Sequence, residues 1–399
     1  MVTMNTMFLD EAVRIGRFLT GTAIRHAGRC TWLDDDAVAH NGWWSWKSGT
    51  LGSTFGSGTA GVAWFMARLS SIVQDRTLAT ISTEALRQSL QTADDLLADR
   101  KLGFQDGALG LAWALVDVGR SLQCDEFLDK GIQMGLCAAD LVESDPNSIE
   151  LQGLWRGQAG ILSSLLALAD ISEEPEFMKP VTRIAEGILT QVSQANRSSR
   201  SFVGLAEGAS GIGVMLADWS KRTGDIRARD AAIDMFRIER PWCGVSAGWS
   251  GAPAHAWADE TLLERSLCSG AAGIGIARLK AHAIIPSLSL LAEAGAAIEL
   301  VRRRPVDAEG SDLSLCHGAA GEIELLITAF TTLREQSHLD AARRFGARLI
   351  TTARASRAYD PESGESVQGP SFQFGLSGLG LVLLRLQDPA LAQFPPMLL

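Results

Sequence analysis

The chain has 399 residues, 46% of them hydrophobic and 21% charged, with a formal net charge of −10. This is the composition of a globular protein with a large core, and an acidic balance without a basic stripe argues against nucleic-acid binding. Six cysteines in so long a chain are too sparse for a disulfide scaffold, and they point instead to reduced thiols or metal ligands.

The N-terminal segment lacks a basic stretch followed by an apolar one, so no secretory signal is expected. Trp43, Trp44 and Trp46 then cluster ahead of the first of seven Gly-x-x-Gly steps. The steps are Gly58/Gly61, Gly107/Gly110, Gly157/Gly160, Gly208/Gly211, Gly270/Gly273, Gly318/Gly321 and Gly375/Gly378, at intervals of 49, 50, 51, 62, 48 and 57 residues. A near-constant period running from end to end marks a repeat architecture and predicts one domain over residues 1–399.

Each step opens an apolar run, among them Thr59–Leu69, Ala108–Val118, Gln158–Ala169 and Leu376–Leu386. Runs this long, rich in Ala and Leu and apolar all round, read as helices buried on every side. Between them lie amphipathic segments: Thr83–Asp99, Asp125–Leu141, Arg227–Arg237 and His338–Ala353. In the first of these, Leu86, Leu90, Ala93 and Leu97 share a face, and Thr83 reads as the helix start.

Ala195–Ser201, Arg302–Leu313 and Asp360–Pro370 read as polar loops, and Pro241–Trp257 as an irregular insert rich in Gly and Trp. The apolar stretch Ala283–Leu300 is interrupted by Pro286 and Glu293, so no membrane span is expected. The pattern predicts an all-α fold: seven inner and seven outer helices in a double-layered (α/α)7 barrel, or toroid. An open solenoid is the competing arrangement, but it normally leaves one surface of each helix wet.

In a ring of repeats, equivalent loop positions face one centre. The residue before each first glycine is Ser57, Asp106, Arg156, Glu207, Ser269, His317 and Phe374 in turn. One residue earlier, the fifth and sixth repeats carry Cys268 and Cys316. Two thiolates and an imidazole suit zinc, and three protein ligands leave a fourth position open, as in catalytic sites. Cysteines packed as small hydrophobes are the competing reading.

Cys243, in Trp242-Cys243-Gly244, is a rival ligand that falls out of register. Cys30, Cys124 and Cys137 read as packing residues. His26, His40, His255, His282 and His338 have no ligand spacing, although His255 lies in the insert just before Cys268. Trp242, Trp249 and Trp257 flank that insert, to be packed in a core or to line a peptide groove.

Three segments carry a family resemblance: Leu267–Leu279 (LCSGAAGIGIARL), Leu315–Glu322 (LCHGAAGE) and Phe374–Pro389 (FGLSGLGLVLLRLQDP). With the glycine steps, they make the chain resemble the lanthionine synthetase C-like (LanC-like) family, and more closely the cyclase half of class II lanthipeptide synthetases. The resemblance implies a barrel with one central zinc on Cys268, Cys316 and His317. It also implies an activity: addition of a peptide cysteine thiol to dehydroalanine or dehydrobutyrine, giving a thioether ring. The implied partner is a precursor peptide, in the cytoplasm, dehydrated by a separate dehydratase or kinase/lyase protein or by the rest of a larger synthetase of which this chain is the cyclase domain. The chain has no phosphate-binding glycine loop of its own with a following lysine.

The chain departs from the family pattern in four places. Glu207 stands where a histidine is usual, and Gly153 where an aspartate is common. Leu267 replaces a tryptophan before the first cysteine. Glu264 occupies an arginine position, with Arg265 one residue off. Glu207 is therefore the first candidate for the acid–base residue, Asp106 a second acid, and Arg156 a stabiliser of the enolate. The alternatives are an enzyme that adds glutathione to dehydroamino acids and a non-catalytic peptide-binding scaffold.

Overall fold

The computed structural model describes residues 6–40, 43–145, 153–155, 157–194, 203–242, 264–303, 312–360, 363–364, 366, 368–391 and 395, except for the side chains of 35–47 and 242. All seven glycine steps initiate helices. The inner helices are Thr59–Val73, Ala108–Leu122, Gln158–Ser172, Ala209–Thr223, Ala271–Ile284, Ala319–Leu333 and Leu376–Gln387, each beginning one residue after the first glycine of its step. Consecutive inner helices pack side by side, and the seventh returns to the first. The ring is closed, which removes the open solenoid.

Six outer helices follow their inner partners: Arg76–Ser89, Asp125–Ser144, Met178–Gln194, Ile226–Glu239, Leu288–Arg302 and Gln336–Ala355. The seventh outer helix comes from the opposite end of the chain: Met7–Thr22 packs on the seventh inner helix. Its buried Glu11 accepts from Arg354 and from the Tyr359 hydroxyl, and Arg14 reaches the Tyr359 carbonyl at 2.8 Å. This seam joins the two ends of the ring without a peptide bond.

The first outer helix corrects one expectation. It begins at Arg76 and not at Thr83, because Asp75 accepts the Thr77 N–H at 2.8 Å and supplies the cap. The segment expected to continue to Asp99 breaks at Leu90–Thr92 and resumes as the short helix Ala93–Ala98. Two antiparallel hairpins, Ile24–His26 with Arg29–Thr31 and Leu33–His40 with Trp43–Thr50, connect the N-terminal helix to the first step. They are strands in a chain read as wholly helical, and they lie outside the repeat. The insert at 243–257, with Cys243, Trp249 and His255, falls outside the described residues, as does Arg156.

The glycine pairs have a steric cause. In each step the loop folds back over the start of its own helix, so the second glycine lies against the carbonyl three residues before the first. A methyl placed on Gly110 would strike the Phe104 carbonyl oxygen and lie 3.1 Å from Cβ of Phe55, in the preceding repeat. One on Gly61 would strike the Phe55 carbonyl and lie 2.6 Å from Cβ of Phe372, in the seventh repeat. The missing Cβ thus allows both the tight loop and the approach of the neighbour. The residues so admitted, Phe55, Phe104 and Phe372, cluster with Trp64 and Trp113 at ring separations of 4.9–5.9 Å. The tryptophans of the first two inner helices are therefore core residues.

Charges between the layers are paired. Arg278 of the fifth inner helix is fully buried, donating to Glu239 at 2.7 Å, Glu293 at 2.6 Å and Ser210 at 2.9 Å. Arg385 and Glu324 form a second buried pair. Lys280 lies within the field of that pair and of Asp218, and burial pushes its ammonium down to about 8.

Gly110→Ala is expected to cost roughly 1–3 kcal/mol in urea unfolding, by overpacking against backbone. Gly295→Ala, on an outer helix with nothing within 4 Å of the added methyl, is expected to stabilise by about 0.5–1 kcal/mol. The unfolded chain keeps the Lys280 proton up to about pH 10.4, whereas the folded chain releases it near 8, so stability gains with rising pH across that window. Lys280→Met is expected to stabilise the protein by roughly 1–3 kcal/mol at pH 7, an advantage that shrinks as pH approaches about 10, checked by unfolding at both pH values.

Candidate metal centre

The loops before the inner helices form three layers around the axis. Residues three before each first glycine are apolar and buried: Phe55, Phe104, Leu154, Leu205, Leu267, Leu315 and Phe372. Residues two before it are joined to one another by backbone hydrogen bonds. The Gly56 N–H donates to Gln105 (2.7 Å), Trp155 to Ala206 (3.0 Å), Ala206 to Cys268 (2.8 Å), Cys316 to Gln373 (3.0 Å) and Gln373 to Gly56 (2.8 Å). Leu267 donates to the Cys316 carbonyl at 2.8 Å. One residue further on lies the rim, where Ser57, Glu207 and Phe374 are exposed and Asp106, Ser269 and His317 are half-buried.

This ring brings the three expected ligands together. One ligand atom from each of Cys268, Cys316 and His317 lies within 4.8 Å of the others. Both cysteines are buried, and the Cys316 Sγ to His317 Nε2 distance is 3.3 Å. Ser266 Oγ is 3.3 Å from Cys268 Sγ and Ser269 Oγ is 3.6 Å from it, while the Gln373 amide nitrogen is 3.7 Å from Cys316 Sγ. The His317 ring stacks on Phe374 at 5.8 Å and 28°. The local fold is fixed by serines four residues before the glycine: Ser314 Oγ accepts the His317 N–H, and Ser266 Oγ the Ser269 N–H.

Protons are unevenly shared in this cluster. A hydrogen bond from Cys316 holds the Cys268 thiol well below the usual range, against burial and with help from His317. Burial, and then the bond to Cys268, holds Cys316 well above it. Burial pulls the His317 imidazole down, but the Cys268 sulfur beside it outweighs burial and leaves it raised. A thiolate, a thiol and an imidazole so placed are a soft donor set that fits a cation with affinity for sulfur and nitrogen, and these three residues could hold one.

The other expected residues are dispersed. Glu207 lies exposed on the rim, one residue after Ala206, whose N–H is bonded to the Cys268 carbonyl. Asp106 is on the rim of the second repeat, three repeats from either cysteine around the ring. Arg265 turns outward, donating to the Leu300 carbonyl at 3.0 Å and lying 3.8 Å from Glu322. Gly153 has a specific cause: a methyl there would lie 2.7 Å from the carbonyl oxygens of both Leu205 and Ala206. Backbone of the fourth repeat fills the place where a side chain would stand.

A separate cavity of about 420 Å³ lies among the C-terminal halves of the inner helices. Its charges are paired, Arg68 with Asp117 and Arg222 with Asp170, and none of the metal-site residues line it. Sequence reading missed Gln373 and Ser266. The first stands at the same register as the two cysteines, and the second two residues before it, so the register itself was the signal.

Residues 49–399 match the family described as lanthionine synthetase C-like protein. Among solved structures, nisin cyclase is similar in fold, with a TM-score of 0.63 over 84% of this chain and 89% of that one, at 18% identity. No curated protein matches the chain. With the closed double ring and the family match over most of its length, the chain belongs to the lanthionine synthetase C-like family.

Proposed function

We propose that the chain is a zinc-dependent lanthipeptide cyclase, acting as a single domain in the cytoplasm on a dehydrated precursor peptide. The observation that carries this reading is the Cys268–Cys316–His317 cluster, buried at the inner ring beside an exposed rim. Among the described residues no helix is long and apolar enough to cross a membrane. The relative in the comparison is named as a cyclase, and the dehydrated peptide is supplied by a separate dehydratase or kinase/lyase protein or by another domain of a larger synthetase.

A free thiol titrates near about 8.5 and is mostly protonated at neutral pH. Zinc on the three residues would offer a fourth position where a peptide thiol is deprotonated and held as a nucleophile. The chain's own residues do the rest. The buried ring excludes water from one side of the thiol, and the rim admits the peptide from the other. Attack on the dehydroamino acid forms the C–S bond and leaves an enolate whose α-carbon must take a proton. Glu207, on the rim beside the Cys268 repeat, is the carboxyl assigned to deliver it. Asp106 is a second acid across the ring, and Arg156 stabilises enolate charge.

A peptide-binding scaffold is the second reading, favoured by the closure of the Gly153 position by backbone. Addition of glutathione to dehydroamino acids would use the same centre and is distinguished by substrate.

Metal analysis is expected to find about one zinc per chain, lost in Cys316→Ala, with affinity rising with pH because the elevated Cys316 thiol must shed its proton to bind. Full activity of metal-free protein would refute the proposal. With a dehydrated peptide, thioether formation is expected in preference to glutathione adducts, and no turnover by metal-loaded protein would favour the scaffold. Glu207→Gln is expected to slow ring formation by roughly 100-fold or more with zinc content unchanged, and parental rates would remove Glu207 from the mechanism.

A further inference from the structure

The seventh repeat contributes no metal ligand, yet it touches two of them. Gln373 is buried at the register position of Cys268 and Cys316. Its backbone is fixed on both sides, accepting from the Cys316 N–H at 3.0 Å and donating to the Gly56 carbonyl at 2.8 Å. Its side chain then spans the gap between the same two repeats. The amide nitrogen is 3.7 Å from Cys316 Sγ, within reach of an N–H···S bond.

The other end of the amide lies over Gly56. A methyl on Gly56 would sit 2.7 Å from Gln373 Oε1, with the Gln105 amide oxygen closer still. The first repeat thus has no side chain at this register, and two glutamine side chains occupy the space. Once Cys316 sheds its proton to bind a metal, its sulfur can only accept, so the N–H end of Gln373 is the end that must face it. The next residue, Phe374, stacks on the next ligand, His317. The pair Gln373-Phe374 therefore buttresses the pair Cys316-His317, residue against residue.

We propose that Gln373 is a positioning residue of the metal centre: its amide N–H, aimed by the empty Gly56 position, donates to Cys316 Sγ, fixes the sulfur's orientation and draws off part of its charge. Phe374 holds the His317 ring in the same way, by contact. The inference rests on the proposed metal site. Partners outside the ligand set commonly decide both affinity and ligand basicity.

Gln373→Met keeps the length and burial of the side chain and removes the donor. Zinc affinity, read by chelator competition, is expected to fall roughly 10–100-fold, and the sulfur-to-metal absorption of the cobalt(II) form to move to longer wavelength, with helix content unchanged. Affinity within about twofold of the parent together with an unshifted band would overturn the proposal. If Gln373→Met does not fold, Gln373→Glu, of the same shape but with no N–H, is held to the same criterion. A parent that binds no zinc overturns this inference and the proposed function together. A parent that binds zinc and cyclises, beside a variant indistinguishable from it, overturns this inference alone.

Discussion

The structure depends on backbone hydrogen bonds that join neighbouring repeats around most of the ring, two or three residues before the first glycine. Buried backbone groups must find partners. Here they find them in the neighbouring repeat, and the bond from Gln373 to Gly56 links the seventh repeat to the first. The bonds require the loops to lie flat on the helix starts, and the second glycine of each step permits that by offering no Cβ. Once the backbone is committed in this way, the side chains at that register are grouped around one axis. The metal-site cysteines are two of them.

The charged groups divide into two kinds. Those among the helices are completed by their partners: Arg278 by Glu239 and Glu293 of the outer layer, and Arg385 by Glu324 of the neighbouring inner helix. Removing one partner of such a pair costs more than the pair is worth, which fixes the paired helices against each other. The group at the centre is not completed in this way. Cys268 and Cys316 share a proton unequally, and His317 is drawn toward its charged form by the sulfur next to it. The centre is thus a cluster of donors that could hold a cation.

The register, the two-layer arrangement and the grouping of Cys268, Cys316 and His317 were legible because each follows from spacing along one chain. Spacing could not show that Met7–Thr22 is the seventh outer helix, since a period says nothing about which end supplies a missing partner. The start at Arg76 was missed because Asp75 caps more effectively than Thr83, a comparison that the apolar periodicity does not contain. The absence of a side chain at Gly153 could be seen in sequence, but its reason lies in the carbonyls of Leu205 and Ala206, more than fifty residues away. Gln373 stood at a register position already in use and was passed over because glutamine is not a metal ligand.

The seam between Met7–Thr22 and the last inner helix gives the molecule the topology of a split ring. Six junctions are tied by the chain itself; at the seventh, Met7–Thr22 packs on the last inner helix, Glu11 holds Arg354 and Tyr359 of the sixth repeat, and Gln373 bonds Gly56. Closure along that line rests on side-chain and backbone contacts and not on chain continuity. The repeat on one side of that line is the seventh, whose Gln373 and Phe374 rest on Cys316 and His317, so the clasp of the barrel and the alignment of the centre share a border.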